Sequence, residues 1–125
     1  MIPCPPSAVA TLAAKSGRPS HDDNALVVLV CVKTTATDEA ALDIAAQCPA
    51  GTTVVSLQNG VNNAARLLAG APTMTVLPSV VAFNVIWRDA NHVYQTTNGN
   101  LLVQQDPSSE VFAPVFRQAG VPVDL

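Results

Sequence analysis

Charge is scarce in this sequence. Only 12% of its 125 residues are Asp, Glu, Lys or Arg, the six basic ones are scattered, and the formal net charge is −3. No basic stripe exists to neutralise a phosphate backbone, so no nucleic acid partner is expected. Long apolar runs are lacking too: the longest, Ala25 to Val32, stops at Lys33 after eight residues. A membrane helix needs roughly 18, which excludes membrane insertion by such a helix. Cysteine is sparse, at three positions, Cys4, Cys31 and Cys48, with no CxxC and no Cys/His ligand spacing. An odd count with Cys31 in an apolar run reads as reduced, buried thiols and a cytoplasmic setting. A secretory leader fits poorly, because no basic residue precedes Ala8 to Ala14 and Pro3, Pro5 and Pro6 crowd the start.

Glycine-rich phosphate loops are also missing. The six glycines, at 17, 51, 60, 70, 99 and 120, never form GxG or a nucleotide-binding lysine loop, so the usual grip on a pyrophosphate is not encoded here. The two histidines, His21 and His92, have no nucleophile pattern beside them and read as surface residues. His21, Asp22 and Asp23 are sequence neighbours whose side chains diverge in most backbone conformations, so no metal site is expected.

What remains is apolar material, 49% of the chain with a mean hydropathy of +0.31, enough for one small domain and too apolar for disorder. Residues 1–24 mix Pro, Ser, Gly and His without periodicity and read as an irregular segment, with room for a helical turn or two at Ala8 to Lys15. At Ala25 the texture changes to an unbroken, β-branched run through Val32. That is the pattern of a parallel strand covered on both faces. Thr35 or Thr37 is placed to cap a helix running to about Gln47, with Asp38 and Glu39 in its first turn. A strand at Thr52 to Leu57, a helix at Asn62 to Ala69 and a strand at Met74 to Phe83 follow. Strand, helix, strand, helix, strand with short connections argues for βαβ crossovers and a parallel sheet. Val85 to Trp87, His92 to Thr96 and Leu101 to Gln105 then read as antiparallel hairpins. A last helix opens at Pro107 and Ser108, with Val111, Phe112, Val115 and Phe116 at helical spacing, and a strand begins at Val121. The fold class expected is α/β, a partial Rossmann-like doubly wound parallel sheet followed by antiparallel hairpins.

Two side chains gain meaning from that plan. Lys33 closes the first strand of the run and Asn59 follows the second, and ligands of open parallel sheets bind outside carboxyl ends, near a reversal of strand order. In isolation, a lysine there is an ordinary solubilising residue and Asn-Gly an ordinary turn. Together, Lys33 in VLVCVK and Asn59 in VVSLQNGVNN resemble the ketopantoate reductases, the 2-dehydropantoate 2-reductases. The resemblance continues through VVAFNV, TTNGNLLV and FRQAGVPVDL, from about Ala25 to Leu125.

The resemblance implies an NADPH-dependent reduction of ketopantoate, a 2-keto acid, to pantoate in pantothenate biosynthesis, with NADP as cofactor. It implies that Asn59 hydrogen-bonds substrate and nicotinamide ribose, a catalytic, substrate-binding and cofactor-binding role that suits a neutral group with both donor and acceptor. Lys33 would bind cofactor beside Thr34 and Thr35, while Gln58 and Gly60 shape the turn. Ala36 stands where the family sometimes has glutamine. Residues 25–125 are thus expected to be an incomplete NADP-binding domain, without the first βαβ unit and its GxGxxG turn, and without the helical domain carrying the general-acid lysine. Such a fragment is expected to be inactive alone. Its first strand would lack a neighbour, and a bare edge invites self-association. The alternative from another class is a non-catalytic α/β binding or assembly module, with Lys33 and Asn59 as mere turn and surface residues. Another β-hydroxyacid dehydrogenase fits less well, because that group lacks this QNG context.

Overall fold

The computed structural model describes residues 9–13 and 26–125, with side chains from Val27 onward. Strand β2 (Leu26–Val30) shows why its sequence does not alternate. Val28 and Val30 are buried in one apolar cluster while Val27 is buried in another on the opposite face. A β-strand directs successive side chains to opposite sides, so a strand covered twice must be apolar throughout.

From β2 the chain passes through a short 3-10 turn, Thr34–Ala36, into α1 (Thr37–Gln47), then β3 (Thr53–Ser56), α2 (Asn63–Gly70) and β4 (Thr75–Val81). Strands β2, β3 and β4 lie side by side and parallel, as the alternation of strand and helix requires. Helices α1 and α2 cover one face: Ala40, Ala41, Ile44 and Leu67 pack with Val28, Val30, Val54 and Met74. The other face is covered by α3 (Pro107–Gln118), where Phe112 and Ala113 meet Val27, Val55, Leu77, Leu101 and Val103. Helices therefore lie on both faces of a mainly parallel sheet, a Rossmann-like α/β arrangement. Among the described residues no helix is long and apolar enough to cross a membrane.

Several expectations need correction. In the segment read as irregular, Val9–Ala13 forms a strand, β1, in place of a helical turn, and it pairs antiparallel along β2 from Val9 against Val30 to Ala13 against Leu26. The outer edge of β2 is thus covered rather than bare. Backbone N–H and C=O groups along β2 find partners there, which is what an apolar edge demands. The rest of residues 1–24, with Cys4, His21, Asp22 and Asp23, lies outside the described residues.

At the other side, only two of the three expected hairpin strands pair with each other, β5 (Val85–Asp89) and β6 (His92–Gln95). The third, β7 (Leu101–Val103), instead joins the main sheet antiparallel to β4, and β8 (Val123–Asp124) adds in parallel beyond it. Burial explains the choice: Leu101 and Val103 are needed under α3, whereas every residue of β5 and β6 is exposed. His92 lies on that exposed hairpin, its Nδ1 2.7 Å from Asp89 Oδ1. The Asn91 backbone N–H and then His92 hold the Asp89 carboxyl below its ordinary value. In α3 the buried stripe is Ser109, Phe112, Ala113 with Phe116 half-buried, so Val111 and Val115 face outward, contrary to the expected apolar face.

Candidate functional site

The carboxyl ends of β2 and β3 open into a cleft of about 490 Å³ lined by Cys31, Val32, Lys33, Thr34, Thr35, Leu57, Gln58 and Asn59. Lys33 and Asn59, 26 residues apart in the chain, face the same cleft, because parallel strands side by side end at the same edge. No reversal of strand order occurs there: β2, β3 and β4 are consecutive neighbours. Cys31, expected to be buried, is exposed, since β2 ends at Val30 and the next residue belongs to the cleft wall.

Among the described residues, neither the Lys33 ammonium nor the Asn59 carboxamide makes an ion pair or hydrogen bond to another side chain or backbone group. Both are exposed and offer their donors, and in Asn59 an acceptor, to whatever occupies the cleft. The backbone of Asn59 is held instead. Its carbonyl accepts from Asn63 Nδ2 at 2.9 Å and from Thr34 Oγ1 at 3.5 Å. Gly60 turns the chain away at φ +116°, a conformation that L side chains rarely adopt, and a Cβ there would stand 3.2 Å from Asn63 Nδ2.

Beneath the cleft lies a closed polar network. Ser56 Oγ donates to Gln58 Oε1 at 3.0 Å, and Gln58 Nε2 donates to the Val32 carbonyl and to Thr37 Oγ1, each at 2.9 Å. Thr37 Oγ1 in turn donates to Asn63 Oδ1 at 3.2 Å. Gln58, Thr37 and Asn63 are all buried, and among the described residues no buried side-chain nitrogen or oxygen lacks a partner. This closure matters, because a buried polar group without a partner costs about 1–3 kcal/mol.

Thr35 and Thr37 do not cap α1. Ala36 occupies the cap position with no side-chain hydrogen bond, and Thr37 turns its hydroxyl inward to Gln58 and Asn63. Outside the network, Arg66 reaches from α2 to the Thr34 carbonyl and to Asp38, both at 2.9 Å, pinning the Lys33 to Thr35 loop from above. Asn63, Thr37 and Arg66 carry the site's support and were not singled out by sequence reasoning for it. The one available signal was Asn63 standing four residues after Asn59, the spacing at which a side chain at a helix start can reach back to a preceding carbonyl.

A family model described as ketopantoate reductase PanE/ApbA matches residues 3–108, so the likeness begins well before Ala25. Among solved structures, a PanE/ApbA family ketopantoate reductase from Ralstonia eutropha JMP134 superposes with a TM-score of 0.70 at 35% identity, over 78% of this chain and 33% of that one. A 2-dehydropantoate 2-reductase from Geobacter metallireducens GS-15 gives a TM-score of 0.67 at 25% identity, over 78% of this chain and 34% of that one. A dimeric ketopantoate reductase from Staphylococcus aureus, at 16% identity and a TM-score of 0.65, shares the fold over 95% of this chain and 44% of its own length. No curated protein matches. The chain spans about a third of the length of the first two structures.

Proposed function

Because the chain belongs to the ketopantoate reductase PanE/ApbA family, a family of oxidoreductases, we propose that its cleft is the nicotinamide end of an NADPH-dependent 2-dehydropantoate 2-reductase site acting in pantothenate biosynthesis in the cytoplasm. The observation that carries this reading is the meeting, at one cleft, of a Lys33 ammonium and an Asn59 carboxamide that have no partner among the described residues. The donor set fits a nicotinamide riboside and a small 2-keto acid: one cation, one neutral carboxamide, the Thr34 and Thr35 hydroxyls, and the apolar Val32 and Leu57 beside them. Nothing among the 125 residues supplies a glycine-rich grip for the pyrophosphate.

When bound, NADPH supplies the hydride that reduces the keto carbon. The residues of this chain orient and neutralise. Lys33 holds an anionic part of the cofactor by charge. Asn59 donates to the substrate oxygen, on which negative charge grows during reduction, and accepts from a ribose hydroxyl. A hydrogen bond strengthened as charge develops favours the transition state over the ground state, which is the catalytic part of its role. Proton delivery to the alkoxide falls to a lysine that the family carries outside this segment. These residues alone are therefore inactive and bind NADPH weakly.

Two assays test the reading. A chimera joining this segment to the remaining two thirds of the R. eutropha relative should oxidise NADPH in the presence of ketopantoate, while the 125-residue chain should not. Low-micromolar NADPH affinity of the chain alone, read by fluorescence, would contradict the assignment of the pyrophosphate grip to a missing glycine turn.

A further inference from the structure

We propose that Thr37, which touches neither the cleft nor any group expected to react, is a positioning residue that couples the loop carrying Lys33 to the loop carrying Asn59. The inference rests on the proposed reading for its functional meaning, and on the hydrogen-bond network for its substance.

The network admits one assignment of protons. Gln58 Nε2 has two hydrogens and spends both, on the carbonyl of Val32, the residue before Lys33, and on Thr37 Oγ1. Asn63 Nδ2 likewise gives its two hydrogens to the Asn59 carbonyl and to Thr34 Oγ1. Both amides are thereby fixed in orientation, since turning either one would set oxygen against oxygen. Thr37 joins them. Its hydroxyl accepts from Gln58 and, having a single hydrogen, donates it to Asn63 Oδ1. One side of the hydroxyl thus leads through Gln58, next to Asn59 in the chain, to the Val32 carbonyl, and the other through Asn63 to the Asn59 carbonyl and to Thr34, so each side reaches both loops.

A hydroxyl with no solvent access, 0% for the whole residue, is costly unless both its roles are filled. Here they are filled only while Gln58, in the Asn59 loop, and Asn63, at the start of α2, keep their present places against α1. Thr37 sits at the first position of α1, which makes the rigid helix the frame against which both loops are set. Displacement of the Asn59 loop breaks the Gln58 bond to this oxygen, and displacement of the Lys33 loop breaks the bonds that the same two amides make to the Val32 carbonyl and to Thr34 Oγ1, so the loops move together or not at all.

Amide hydrogen exchange in the unliganded chain tests this. The Ala36 N–H, bonded to the Lys33 carbonyl, and the Leu57 N–H, bonded to the Val30 carbonyl, report on the two loops. The Gly51 and Thr75 N–H groups, bonded to Thr73 and Thr52 at the far edge of the sheet, serve as controls. Thr37→Val keeps the shape and removes the hydroxyl. It should speed exchange at Ala36 and Leu57 together by about tenfold beyond any change at Gly51 and Thr75, and Thr37→Ser should restore the slow rates. Equal acceleration at all four sites, or acceleration at one loop alone, would overturn the coupling. Should Thr37→Val fail to fold, the unaltered protein still decides: the Gln58 side-chain amide protons must be slow to exchange and close to Thr37 in nuclear Overhauser spectra, and their absence there would refute the network. If Lys33 and Asn59 signals ignored millimolar NADPH, the functional reading would fall while the exchange result still judged the coupling.

Discussion

At the scale of single residues, Asn59 is a group whose backbone is tied down while its side chain, among the described residues, makes no hydrogen bond. In a chimera with the rest of a relative, Asn59→Ala should lower turnover by the loss of one hydrogen bond to a partly charged centre, about 1–3 kcal/mol. Steady-state kinetics at saturating NADPH read this directly, and unchanged turnover would remove Asn59 from the site. Asp38 offers a pH test. Its hydrogen bond from Arg66 holds the carboxyl below the ordinary value near 3.8, desolvation opposing and charge attraction assisting. Protons then bind the unfolded chain more readily, so the stabilisation is complete above the ordinary value and is lost as pH falls through the folded one. Because the Asp38 side chain is 72% exposed, the effect is small and screened by salt. Denaturation midpoints of the unaltered protein and Asp38→Asn should therefore differ modestly at neutral pH and converge on acidification. A gap that widened in acid would contradict the pairing.

Elements explain what could and could not be read from sequence. The β2, β3, β4 run with its two helices was legible because continuous β-branched stretches and breaker residues such as Pro49, Gly51 and Pro72 are local signals. Strand partners for β7 were not, because Leu101 to Val103 suits a hairpin and a sheet equally by local pattern, and only the need to bury Leu101 and Val103 under α3 decides. The same holds for Thr37, whose capping potential is local while its bond to Asn63 spans 26 residues. Two substitutions test the element packing. Phe112→Ala should cost about 3–5 kcal/mol by opening a cavity between α3 and the sheet, measured by urea denaturation. Gly99→Ala should also destabilise, since a Cβ would run into the Ala82 carbonyl oxygen where the chain returns from the exposed hairpin to β7. Ordinary stability in either variant would argue against that packing.

Over the whole molecule, a sheet carries helices on both faces, and its cleft lies at the carboxyl ends of β2 and β3. The fold class followed from the alternation of apolar strands with helices, and the placing of Lys33 and Asn59 at those ends from the strand polarity this implies, whereas the strand covering β2 did not, because Val9 to Ala13 carries no pattern that distinguishes it from a short helix. The outermost strand on that side among the described residues is β1. Among the described residues, self-association through this edge would use β1 rather than β2, and concentration-dependent sedimentation abolished by Thr11→Pro would identify it. The claim on which the rest depends is that the ammonium and the carboxamide face one nicotinamide. Isotope-labelled chain titrated with millimolar NADPH and ketopantoate tests it most directly by nuclear magnetic resonance. Signals of Lys33, Thr34, Gln58 and Asn59 should shift together along one binding curve, with the β5 and β6 hairpin unmoved. Shifts scattered over the surface, or confined to one of the two loops, would contradict it.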